Sequence, residues 1–157
     1  MNTITLFSLI VFATVFAAVY INNTTTGATP IVFTPPYSYA SGGDLLSELN
    51  AFLFTFIFSL LFFGLSAPIA LGIEGAKYAG LFTQHLMSAF DFAFLLPQVI
   101  AVFAATLLGQ AIIDDYTEKR SLLEGWTDAR NYFLAAFVLF IVVFLVKMLL
   151  LPAVGLV

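Results

Sequence analysis

Polar residues in this chain fall in clumps, and the apolar runs between them are too long for a soluble fold. Thr3 to Ile21 is the first run and contains no charged side chain. At 1.5 Å per residue, a helix of that length crosses a hydrocarbon layer of ~30 Å. No basic residue precedes it, and it exceeds the ~7–15-residue core of a signal peptide, so it reads as an uncleaved first helix. Residues 22–43 then change character. Asn22-Asn23-Thr24-Thr25-Thr26-Gly27 and Thr34-Pro35-Pro36 are loop chemistry, and Tyr37 and Tyr39 suit a membrane interface. Two overlapping sequons make Asn22 and Asn23 candidate glycosylation sites if this loop faces outward.

A second helix is expected from Asp44 to about Ser66, with Pro68 kinking its end. The pattern breaks near Gly72-Ile73-Glu74-Gly75-Ala76-Lys77. A weaker stretch follows over residues 76–90, carrying Thr83, Gln84 and His85, and reads as a short span or a re-entrant helix. Phe92 to Ile113 is a strong span. Residues 114–131 form the long polar connection. Within it, Ser121-Leu122-Leu123-Glu124 predicts a capping box, and Leu122, Leu123 and Trp126 an apolar face suited to the membrane surface. Tyr132 to about Leu151 is the last span.

Composition sharpens this picture. Of 157 residues, 62% are hydrophobic and 9% charged, more apolar surface than one soluble core of this size can bury. The predicted fold is therefore all-α, a polytopic transmembrane bundle of five helices with a short third, forming one domain over residues 1–157. Only five basic side chains are present. With five crossings, Lys77, Lys119, Arg120 and Arg130 share one face while residues 22–43, free of Lys and Arg, lie on the other. The positive-inside rule then puts residues 114–131 and the N-terminus in the cytoplasm and the C-terminus outside. Four crossings would separate Lys77 from the other three.

Chemistry is scarce. There is no cysteine, and phosphate loops, zinc-binding His pairs and nucleophile elbows are missing, which argues against an enzyme and predicts no cofactor. A net charge of −4 with no basic stripe argues against nucleic acid. The expected partners are membrane lipids and other integral membrane subunits. Close helix approach is predicted by small residues at four-residue spacing: Ala101, Ala105 and Gly109; Gly72, Ala76 and Gly80; Gly75 and Ala79. These stripes serve either bundle packing or docking of a partner. The intramembrane polar candidates are His85, Asp91 and Lys147, with Glu74 at the margin. Lys147 either meets Asp91 or snorkels to the outer interface.

Three stretches carry a family likeness. They are Leu71-Gly72-Ile73-Glu74-Gly75-Ala76-Lys77-Tyr78-Ala79-Gly80, Leu95-Leu96-Pro97-Gln98-Val99-Ile100-Ala101 through Leu108-Gly109, and Val146-Lys147-Met148-Leu149-Leu150-Leu151-Pro152. From Phe52 onward the chain resembles the membrane domain of the stage II sporulation protein M family and its archaeal relatives. Glu74 stands where that family has Asn, and Val146-Lys147 where it has Ile-Glu, so no polar role is carried over. The resemblance implies a non-enzymatic five-helix protein, in spore formers a membrane scaffold for peptidoglycan-degrading partners. Two functions are expected from all this: a scaffold or accessory subunit of a membrane assembly, or a small transporter or channel component with an ion or proton path near His85.

Overall fold

A computed structural model describes residues 3–25, 45–83 and 92–150. Among these the fold is an all-helical bundle of five α-helices: α1 (Thr3–Thr25), α2 (Leu45–Leu60), α3 (Ala67–Thr83), α4 (Leu95–Tyr116) and α5 (Leu122–Leu150). Four helical stretches, Thr3–Thr25, Leu46–Gly64, Leu95–Tyr116 and Leu122–Leu149, are long and apolar enough to cross a membrane. The remaining helix, α3, has 17 residues.

The helices alternate in direction along the chain. Ile4, Leu9 and Phe12 of α1 pack near Ala67 and Leu71 at the start of α3. Tyr20 meets Phe82, and Asn23 Nδ2 donates to Thr83 Oγ1 at 3.2 Å, at the far ends of the same two helices. Thus α3 lies parallel to α1 along its whole length. Helix α4 runs the other way: Phe92, just before it, lies beside Tyr78 and Phe82, and farther along Thr106 Oγ1 is 3.3 Å from Thr5 Oγ1. Helix α5 returns, with Gly125 against Ala111, Tyr132 against Phe103 and Phe140 against Phe94. The start of α1 and the end of α5 therefore lie at opposite ends of the bundle.

The pivot of this arrangement is a left-handed turn. Helix α2 stops at Leu60 and passes into a 3₁₀ turn, Leu61–Gly64, in which Phe62 (φ 53°), Phe63 (φ 59°) and Gly64 (φ 92°) all have positive φ. For bulky L-residues this conformation costs roughly 1–2 kcal/mol each. It is held by the Ser66 hydroxyl, which lies against the Phe58 and Leu61 carbonyls (2.7 Å to the latter) left open at the end of α2. Pro68 then falls in the first turn of α3, where its missing N–H costs nothing.

Several expected boundaries shift. The second helix does not run to Ser66 with a kink at Pro68; it ends six residues earlier, and Pro68 starts the next helix. The third helix starts at Ala67, nine residues before the expected 76, and runs beside α1 to Thr83; the rest of the expected 76–90 stretch lies outside the described residues. Asn22 and Asn23, expected in the 22–43 loop, are helical within α1, and residues 26–43 lie outside the described residues. The polar connection 114–131 shrinks to residues 117–121. Leu122, Leu123 and Trp126 belong to the first turns of the 29-residue α5, not to a separate surface helix. At its start Asp115 Oδ1 accepts the Leu122 N–H at 2.9 Å, and Glu124 pairs with Arg120, so the expected capping box does not form.

Glycine sets the closest approaches. A Cβ on Gly109 would fall 2.3 Å from the Phe63 carbonyl carbon, and one on Gly75 2.7 Å from the Phe12 oxygen. At Gly72 the nearest atom is the Val11 Cγ1 methyl, at 3.3 Å, which can rotate away. Gly109→Ala is therefore expected to destabilise the bundle by about 1–3 kcal/mol despite the better helix propensity of Ala. Gly72→Ala should stay within about 0.5 kcal/mol of the native protein. Denaturant-induced unfolding of both variants in mild detergent measures the difference; equal stabilities would disprove the contact at Gly109.

Candidate functional site

The start of α3 at Ala67 places Glu74 near the middle of the helix, and its neighbour Gly75 packs on the Phe12 backbone, near the middle of α1. Glu74 is 0% exposed, deep among apolar helices. Its Oε2 accepts Gln98 Nε2 from α4 at 3.4 Å and lies 3.6 Å from Lys77 Nζ, one turn along α3. The Lys77 side chain is 13% exposed, and its ammonium is 5.5 Å from the centre of the Tyr78 ring. Gln98 is itself 1% exposed, and its Oε1 is buried without a hydrogen-bond partner. Since i and i+3 share a helix face, Glu74 and Lys77 are brought together by α3 alone. Gln98 joins them because α4 crosses this face antiparallel, with Val99 and Val102 packed against Ala67 and Leu71.

This cluster revises the reading of the charges. Lys77 was expected on the same face as Lys119, Arg120 and Arg130, but it lies at mid-bundle and pairs with Glu74. The other three remain together at the α4–α5 end. There Arg120 donates to Asp128 at 3.0 Å and Glu124 at 3.2 Å. Those hydrogen bonds, first Asp128 and then Glu124, raise its pKa further, so its charge persists across the physiological range.

Lys147 does not extend outward to snorkel. It is buried, with its ammonium 5.4 Å from the centre of the Phe94 ring, which can stabilise a desolvated cation. His85 and Asp91 lie outside the described residues. Asn22 is half-buried, and Asn23 is tied to Thr83.

The small-residue stripes separate into two environments. Ala101, Ala105 and Gly109 are buried within the bundle: Ala101 in the core of Phe52, Phe94, Ala136 and Phe140, and Gly109 under the 3₁₀ turn. Gly75, Ala79 and Gly80 are buried in α3. Gly72, also buried, and the half-buried Ala76 line an open apolar groove with Val11, Val15, Ile69 and Ile73. Among the described residues no group of acidic or His side chains could hold a metal ion. Compared with family models, curated proteins and solved structures, the chain matches none.

Removing one partner of a buried ion pair leaves the other exposed to an apolar medium, whereas replacing both by apolar groups can be near neutral. Glu74→Leu alone should thus cost about 3 kcal/mol, and Glu74→Leu with Lys77→Met should regain most of it. Unfolding of the single and double variants in detergent tests this; a double variant no more stable than Glu74→Leu would show the two residues are not coupled.

Proposed function

We propose that this multi-pass membrane protein is non-enzymatic and works by association, as a scaffold or accessory subunit of a larger membrane assembly. The observation that carries this reading is the groove on the outer side of the α1–α3 pair. Its walls are Val11, Val15, Ile69 and Ile73, and its floor is Gly72 and Ala76. In lipid, helices gain little from hydrophobic burial and associate where small residues let backbones approach. A groove floored by Gly and Ala between branched side chains offers a neighbouring subunit's helix that contact. The resemblance to the stage II sporulation protein M family supports the same class of role.

Orientation follows from the basic residues that stay at one end. Lys119, Arg120 and Arg130 sit at the α4–α5 end, which also carries the start of α1 and the Leu61–Gly64 turn. With that end in the cytoplasm and α3 counted as a crossing beside α1, the chain crosses five times, N-terminus inside and C-terminus outside. The transporter reading gains one observation, the Glu74–Lys77–Gln98 cluster inside the bundle, in place of the path near His85. Intramembrane ionisable groups often mark such paths.

Two measurements test these readings. Labelling engineered terminal cysteines in intact cells should reach the C-terminus and leave the N-terminus protected; equal access to both ends would refute five crossings. Ala76→Trp fills the groove and should abolish co-purification of native membrane partners, while Val142→Trp on the exposed face of α5 should not. Retention of the partners by Ala76→Trp would remove the groove as the docking surface.

A further inference from the structure

Past the level where α1 and α3 begin and α2 ends, α4 and α5 continue as an antiparallel arm. Thr5, in the first turn of α1, is level with Thr106, and the Phe63–Gly64 turn seats on Gly109 and Thr106. Helix α4 runs on to Tyr116, about 15 Å past Thr106. Helix α5 returns with Gly125 against Ala111 and Tyr132 against Phe103. From Tyr132 to Leu150 α5 is apolar apart from the buried Lys147, and it rises about 27 Å, close to the ~30 Å of a hydrocarbon core. The lipid boundary therefore falls near Tyr132. Trp126 then lies about 9 Å and Leu123 about 13 Å beyond it, whereas the headgroup layer is about 5–8 Å thick.

The arm carries large apolar side chains that neither lipid nor the bundle covers. Tyr116 is 89% and Leu123 74% exposed, and Leu122 and Trp126 are exposed as well. Leu122, Leu123 and Trp126 share one face of α5, and Glu124 and Asp128 form the adjoining stripe. From Asp114 to Asp128 there are five acidic and two basic side chains. One of the two, Arg120, is already held by Glu124 and Asp128. An open polar hollow at the tip is lined by Asp115, Glu118, Lys119, Arg120, Ser121 and Glu124. The excess charge is negative, so anionic headgroups repel the arm and cationic side chains are drawn to it.

We propose that this arm is a docking surface outside the lipid, and that its occupant is a basic amphipathic helix of a partner protein. The apolar face of that helix covers Leu122, Leu123 and Trp126, and its flanking Lys or Arg side chains meet the acidic stripe and the hollow. The proposal rests on the membrane-spanning reading of the chain and extends its association role to the aqueous side. It does not depend on the α1–α3 groove.

Trp126 is the only Trp of the chain, so its fluorescence reports on the arm alone. The full chain is placed in nanodiscs of phosphatidylcholine, with and without bromine on the acyl chains near the headgroup. Bromine should quench Trp126 less than it quenches the Trp126→Phe, Tyr132→Trp double variant. Equal or stronger quenching would put the arm in lipid and overturn the proposal. Titration with a synthetic peptide of Leu and Lys at helical spacing should then move the Trp126 emission to the blue and saturate. The same peptide with Glu in place of Lys should not bind. Leu123→Ser should weaken the Lys peptide about tenfold. Asp114→Asn with Glu118→Gln should weaken it about threefold and reduce its salt dependence. No saturable shift with the Lys peptide, equal shifts with both peptides, or unchanged affinity in either variant would each overturn the docking surface. The groove test reads native partners and this one a defined peptide, so either surface can fail alone.

Discussion

The arrangement depends on one backbone-to-backbone contact, the seating of the Phe63–Gly64 turn on α4 at Gly109 and Thr106. Any side chain at Gly109 would occupy the space of the Phe63 carbonyl, so the turn can come this close only because the residue is Gly. That contact fixes the depth at which the chain reverses after α2. With only Leu65 and Ser66 between the turn and Ala67, it also fixes where α3 starts. The rest follows by helical geometry: Gly75 reaches the Phe12 backbone, Tyr78 the Phe12 ring, and Thr83 the Asn23 amide. The left-handed conformation of two adjacent phenylalanines is strained by itself. It persists because the surrounding contacts over-determine it.

The same reversal explains the placement of the charges. A helix beginning at Ala67 carries Glu74 and Lys77 to its middle, with Glu74 fully buried and Lys77 mostly so. Paired with each other and with Gln98, they form a compact polar island. Of the other basic residues, Lys119 and Arg120 lie in the connection between α4 and α5 and Arg130 in the early part of α5, while Lys147 is buried beside Phe94 near its far end. Buried hydroxyls such as Thr55 bond within their own helix, the ionisable Glu74 and Lys77 pair with each other, and the exposed faces are rich in Leu, Ile, Val and Phe.

Helix number and class were legible in the sequence because long uncharged runs admit few alternatives in a membrane. The register of α3 was not. Phe62 and Phe63 read as ordinary helix formers in an apolar run, and nothing local marks them for positive φ. Pro68 was the available signal: read as an N-terminal residue instead of a kink, it starts α3 early enough to bring Glu74 and Lys77 to its centre. The burial of Ala101, Ala105 and Gly109 fits the four-residue spacing, but spacing alone could not tell an inner stripe from the outer one at Gly72 and Ala76. Asn22 and Asn23 looked like loop residues by composition. Tertiary contact overrides that preference, since the Asn23–Thr83 bond joins the ends of two parallel helices.

The polar cluster also bears on why this bundle has one register. Helix α3 packs broadly on α1 but touches α4 over only a short stretch. Apolar packing of Ala67 and Leu71 on Val99 and Val102 would tolerate a slip of one turn, because small and branched side chains recur along both helices. Glu74 does not tolerate it. A slip of one turn in either direction would carry it from Gln98 toward Phe94 or Val102, both buried and apolar, and strand a carboxyl without its amide. The pair therefore penalises the alternatives more than it stabilises the observed state, as a buried polar contact does when it fixes register among otherwise interchangeable hydrophobic contacts.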